Sequence, residues 1–170
     1  TMFAWIMALL LKLQPQDFAA LHLGSMMHLV LRLIASFCGV FGFSIMFNSS
    51  VYMAATAACI GAIANTLRLE LVDFTGMPSA AAAFIGALTA GLLASIIKRN
   101  HGYPRISLTV PSIVIMVPGL YLYRAIYNFG IMSLTEAVSW FAAAIMIIAS
   151  LPLGLIFARI LTDRTFRYCT

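Results

Sequence analysis

The sequence predicts an all-α protein, a polytopic transmembrane bundle of about five spans whose fourth span is broken or kinked at Pro118-Gly119. Three observations carry that prediction. Hydrophobic residues fill 63% of the 170 positions and charged residues 9%, against roughly 25% charged in a soluble domain. Such a chain cannot supply the polar surface a water-soluble fold of this length requires. Four stretches, 33–67, 74–97, 106–123 and 137–158, contain no Lys, Arg, Asp or Glu, and each reaches the roughly 17 to 25 residues that cross a hydrocarbon core as helix. The ten Lys and Arg residues sit at the ends of these runs, where they act as topology signals.

Residues 2–13 are apolar but too short to span alone, and they lack a small-residue cleavage site, so a secretory signal peptide fits poorly. The chain begins with Thr1, which leaves open a trimmed start or a piece of a longer protein. Gln14-Pro15-Gln16-Asp17 interrupts the apolar pattern, and Asp17 can cap a helix beginning at Phe18. Continued to Phe47 that helix is too long for one bilayer, since about 30 residues reach roughly 45 Å. An interfacial first part is therefore expected, then a first span over residues 28–47 with Arg32 near one membrane face.

Asn48-Ser49-Ser50 is a turn signal leading into a second span over 51–67. Arg68, Glu70 and Asp73 are expected in the next loop, the two acids balancing Arg68. Gly76-Met77-Pro78 opens a third span over 79–97, with proline suited to an early helical position, and Lys98-Arg99-Asn100 closes it. Gly102-Tyr103-Pro104-Arg105 leads to a fourth apolar segment, 106–127, that contains Pro111, Pro118 and Gly119. A fifth span covers 134–161, and Pro152 with Gly154 predicts a kink toward its end. The chain thus divides into an N-terminal interfacial or partial helix (1–27), a transmembrane domain (28–162) and a tail (163–170).

Basic residues fix the expected orientation. Lys98, Arg99 and Arg105, and likewise Arg159, Arg164 and Arg167, fall on the same side of five alternating spans, which predicts a cytoplasmic C-terminus. Small residues recur every four positions: Ala57, Gly61 and Asn65 in the second span, and Ser79, Ala83, Ala87, Gly91 and Ser95 in the third. Such stripes let helix backbones approach closely, which favours packing of the bundle or of a dimer over a direct substrate path.

Chemistry-bearing motifs are sparse. There is no His-Glu-x-x-His, no Gly-x-Ser-x-Gly, no glycine-rich phosphate loop and no cysteine pair at metal spacing, so neither an enzyme, a cofactor nor a metal site is expected. Cys38, Cys59 and Cys169 imply no disulfide framework. His22 and His28 do not share a helix face, and His101 lies in a loop. No aromatic-basic interleaving points to nucleic acid.

The informative segment runs from Val110 to Tyr121. Pro118 removes one backbone hydrogen bond and crowds the carbonyl of Val114, while Gly119 adds flexibility, so polar backbone groups are freed near mid-membrane. Broken helices of transporters offer such groups to substrates and ions; a plain proline kink is the alternative. A substrate path past Pro111, Pro118 and Gly119 can draw amide hydrogen bonds from Asn48 and Asn65, and Tyr121 or Arg124 can attract a carboxylate at the outer mouth. The structural alternatives are a turn residue at Asn48, an interhelical bond at Asn65 and an interface anchor at Arg124. The acids Asp17, Glu70, Asp73, Glu136 and Asp163 all fall at predicted span ends, so a mid-membrane proton carrier is expected from a partner, or from Glu136 reaching inward.

Gly42-Phe43-Ser44-Ile45-Met46-Phe47-Asn48, followed by Pro111 to Arg124 with its Val117-Pro118-Gly119 core, resembles the smaller, C-terminal half of the bacterial threonine/serine exporter family, over residues 29–162. Asn48, Pro111, Pro118 and Gly119 match its pattern. The resemblance implies export, driven by an ion gradient, of threonine and serine, or of dicarboxylates such as succinate in related two-subunit systems. It implies an inner-membrane location and a second exporter subunit or a homo-oligomer. The rival from another class is a non-transporting membrane scaffold whose small-residue stripes serve only assembly.

Overall fold

A computed structural model describes residues 25–163 and residues 6, 7, 10 and 11; for Ser25 and residues 99–101 it describes the backbone alone. The expectations for the N-terminal helix, His22 and the tail beyond Asp163 lie almost wholly outside the described residues. Six helices follow in order, with no strand among the described residues: α1 (Ser25–Met46), α2 (Val51–Thr75), α3 (Ser79–His101), α4 (Arg105–Val114), α5 (Gly119–Gly130) and α6 (Leu134–Thr162). Four of them, α1, α2, α3 and α6, are long and apolar enough to cross a membrane, and α4 with α5 makes a fifth span bent by 40°.

Local chemistry sets most boundaries. At the end of α1, Asn48 takes a left-handed φ of 58°, which asparagine tolerates better than most residues, and Ser49 donates back to the Ser44 carbonyl at 3.1 Å. Ser50 then enters α2 from extended backbone. Here the structure corrects the sequence reading. Helix α2 does not stop at Leu67 but continues through Arg68, Glu70 and Asp73 to Thr75, because nothing in that stretch breaks a helix. Its stop is Gly76, at a left-handed φ of 62°, whose N–H caps the Val72 carbonyl. Nor do the two acids balance Arg68. Both pair with Arg32 on α1, Glu70 at 3.0 Å and Asp73 on the other guanidinium nitrogen.

Helix α3 begins after Pro78 and ends at Gly102, again left-handed. Helix α6 runs through Pro152 as one element.

Helix α2 lies at the centre, packed on α1, α3 and α4, and α6 closes the other side against α3 and α5. The core is built mainly of alanine: Ala57, Ala64, Ala83, Ala87, Ala90 and Ala94 are fully buried, joined by Ile60, Leu108 and Met116. Close approach explains the small residues. A Cβ at Gly61 would lie 2.6 Å from Val40 on α1 and 3.1 Å from the Ser112 Cα on α4; one at Gly91 would meet the Ala158 Cβ at 2.5 Å, and one at Gly154 the Phe84 carbonyl at 2.6 Å. With no water-driven hydrophobic force between helices in lipid, such contacts supply the dispersion that holds the bundle.

Candidate functional site

The α4–α5 break is the place where backbone and charge meet. Proline at 118 has no N–H to give, and its ring would overlap the carbonyl of Val114, where α4 stops. The chain then tightens: Met116 N–H reaches Ile113 O at 2.9 Å, Val117 N–H reaches Val114 O at 3.1 Å and Gly119 N–H reaches Val117 O at 2.8 Å, before Leu122 N–H resumes the helical pattern onto Pro118 O at 3.1 Å. No helical N–H takes the Met116 carbonyl. A side chain does.

That side chain is Arg68, whose Nη1 donates to Met116 O at 3.2 Å. Arg68 is only 9% exposed and sits within the span that α2 makes. Its Nε is buried with no hydrogen-bond partner, and among the described residues no carboxylate forms an ion pair with it. Tyr121, in the first turn of α5, is its electrostatic neighbour. Gly86 on α3 completes the enclosure, since a Cβ there would lie 3.2 Å from both Ala64 O and the Arg68 Cβ, and 3.3 Å from the Met116 sulfur. A cation in a membrane interior costs at least about 2.5 kcal/mol, and one carbonyl offsets only part of that. The Nε–H is left to donate to a further acceptor.

Beyond the break, Tyr121 packs edge-on against Trp140 of α6, with ring centroids 5.5 Å apart. The Arg124 guanidinium stacks over the same indole at 4.7 Å, on the exposed side of α5. This aromatic-cation column leads from Arg68 toward the end of the bundle that holds the α5–α6 turn.

The residues singled out from sequence separate into three groups. Pro118, Gly119, Tyr121 and Arg124 do lie at the break or in the first turns beyond it, and Pro118 is buried while Gly119 faces open space. Pro111 is buried one turn earlier in α4, beside Ser112, whose hydroxyl has one proton for Ala57 O at 2.9 Å and Leu108 O at 2.6 Å. Asn65 is tied to Ser36 of α1 at 2.8 Å, and Asn48 is an exposed turn residue at the end of the bundle away from the α5–α6 turn. Sequence reasoning missed Arg68, Gly86 and the Met116 carbonyl. A signal for Arg68 existed: it extends the stripe Ala57, Gly61, Asn65 by one more step of three, on the buried face of α2.

Over residues 32–161 the chain matches the family model described as Threonine/Serine exporter, ThrE. No curated protein matches it, and no solved structure does.

Proposed function

Because the chain belongs to the threonine/serine exporter family and is a multi-pass membrane protein, we propose that it carries L-threonine and L-serine outward, with Arg68 at the α4–α5 break receiving the substrate carboxylate. The observation that supports this is the buried guanidinium without a carboxylate partner, beside a freed carbonyl and the first turn of α5. A carboxylate on Arg68 would satisfy its buried N–H donors, and the α5 N-terminus favours the same negative charge. One buried cation suits a zwitterion with a single carboxylate better than succinate with two.

Transport requires a second membrane subunit. Among the described residues the acids Glu70, Asp73, Glu136 and Asp163 all lie near helix ends, which supports a partner as the source of the intramembrane acid that usually couples ion flow to transport. Much of α1 faces outward, including Met26, Met27, Val30, Leu31 and Ile34. The partner seats there or in lipid beside it. The protein resides in the cell inner membrane with its C-terminal end in the cytoplasm, in keeping with the basic residues around the α3–α4 connection.

The test is efflux of labelled threonine, serine and succinate from cells lacking their own exporters, with the chain expressed alone and beside a candidate partner. Partner-dependent efflux of threonine and serine is expected, with a loss of about tenfold or more in Arg68→Gln, the order of a missing charge-assisted hydrogen bond. Retention of every solute, with both chains stably in the membrane, would sink the proposal in favour of a scaffold.

A further inference from the structure

We infer that the cavity between α3, α4 and α6, at the end of the bundle opposite the α5–α6 turn, is a loading site that recognises a hydroxy amino acid as a zwitterion. It has a volume of about 340 Å³ and is lined by Ser95, Ile96, Lys98, Arg105, Thr162 and Asp163. That volume falls at the small-molecule end of binding pockets, which run from about 300 to 1,000 Å³. The inference rests on the exporter reading, and it adds a second station distinct from Arg68.

The lining offers each group such a ligand needs. Arg105 opens α4 and spans the cavity, donating through Nη2 to the Gly91 carbonyl on α3 at 3.3 Å and through Nη1 to the Thr162 hydroxyl on α6 at 3.4 Å. Both contacts are long, so the guanidinium is held across the floor and can still turn its fork to a carboxylate. Lys98 adds a second cation at the rim. Asp163, paired with Arg159 at 3.9 Å, supplies the opposite charge, and a carboxylate has several lone-pair sites, so it can accept from an ammonium as well.

Ser95 and Thr162 stand 3.1 Å apart, and each can donate to the carbonyl four residues back, Gly91 at 2.8 Å and Ala158 at 2.7 Å. With Ser95 donating to Gly91, Thr162 donating to Ser95 and Thr162 accepting from Arg105, each oxygen retains one lone pair for a ligand hydroxyl. Two cations alone would suit a dicarboxylate or a phosphate. The aspartate disfavours both and selects a ligand that carries its own cation.

The small residues of α3 serve this cavity as well as packing. Gly91 contributes the carbonyl that anchors Arg105, and a Cβ there would sit 3.7 Å from the guanidinium. The same glycine therefore sets the α3–α6 distance and anchors the arginine that lines the pocket.

The experiment uses inside-out vesicles from cells expressing the full chain with its partner, so that this end of the bundle faces the medium. Uptake of labelled L-threonine is measured against concentration, with L-serine, L-threoninamide and 2,3-dihydroxybutyrate as competitors. Asp163→Asn is expected to raise KM for threonine by about tenfold with the maximal rate retained, the scale of one charge-assisted bond, while leaving competition by 2,3-dihydroxybutyrate, which lacks the ammonium, unchanged. Arg105→Gln should raise KM likewise and leave competition by L-threoninamide, which lacks the carboxylate, unchanged; Arg105→Lys should restore part of the affinity. Lys98→Gln, at the rim, covers the case in which Arg105→Gln fails to assemble. Unchanged KM in Asp163→Asn and Lys98→Gln, while wild-type vesicles transport threonine, would overturn the loading site and leave the exporter reading standing. A dependence of these variants on phosphatidylglycerol content, with no change in KM, would overturn it in favour of a lipid headgroup. No uptake of threonine or serine by wild-type vesicles would overturn both.

Discussion

Arg68 owes its position to two neighbours that have no charge. Gly86 lets α3 close over it, and the Met116 carbonyl gives it one acceptor. Replacing a buried ion by an apolar side chain of similar length is often neutral or stabilising, whereas a structural arginine would be missed. Arg68→Met is therefore expected to shift the unfolding free energy by no more than about 1 kcal/mol, the released carbonyl offsetting the removed desolvation cost, while abolishing threonine efflux. A large fall in thermal stability of the detergent-purified variant would instead mark Arg68 as a brace. Asn65 makes the contrasting case, because its amide is already committed to Ser36. Asn65→Leu should cost about 0.6 to 1.7 kcal/mol, the range for hydrogen bonds between membrane helices, with KM for threonine unchanged. A selective rise in KM would return Asn65 to the substrate path.

At the scale of elements, the helices and the break were legible because their causes are local. Proline without an N–H, glycine at a left-handed stop and uncharged runs of spanning length can all be read along the chain. The course of α2 past Leu67 was not, since three charged residues in quick succession look like a loop until the partner helix is known. Only the position of Arg32 on α1 shows where Glu70 and Asp73 are directed. Inter-helix distances were likewise half legible. Periodicity marks a small-residue stripe, yet only the packed structure separates Gly91, pressed on Ala158, from Gly42, where a Cβ would have nothing within 4 Å. Gly91→Ala is accordingly expected to destabilise the α3–α6 pair by about 1 to 3 kcal/mol through overpacking, while Gly42→Ala should stabilise by up to about 1 kcal/mol through helix propensity. Thermal unfolding of the two variants in one detergent checks the pair, and equal effects would mean that α3 and α6 do not touch as described.

The whole molecule has two unlike ends, and the difference supports the orientation proposed above. One end holds the α2–α3 and α5–α6 turns, residues 76–78 and 131–133, which contain no basic residue. The other holds the α3–α4 connection, flanked by Lys98, Arg99 and Arg105, and the end of α6 with Arg159. Arg32, Arg68 and Arg124 in that half do not offset this bias, because the first is bound to Glu70 and Asp73, the second is buried at the break and the third stacks on Trp140. In the proposed orientation, with Lys and Arg retained on the cytoplasmic side, the cavity between α3, α4 and α6 faces inward and the Tyr121–Trp140–Arg124 column outward, the order the proposed export requires. The same proposed orientation puts the α1–α2 turn on the cytoplasmic side. With Cys38, Cys59 and Cys169 replaced by alanine, Thr135→Cys in the exposed first turn of α6 should react with a membrane-impermeant maleimide on intact cells. Ser50→Cys, exposed at the start of α2, should react only after permeabilisation. The reverse pattern would turn the molecule over, moving Arg105 and Asp163 to the outer face, and a cavity there would take up substrate instead of loading it for export.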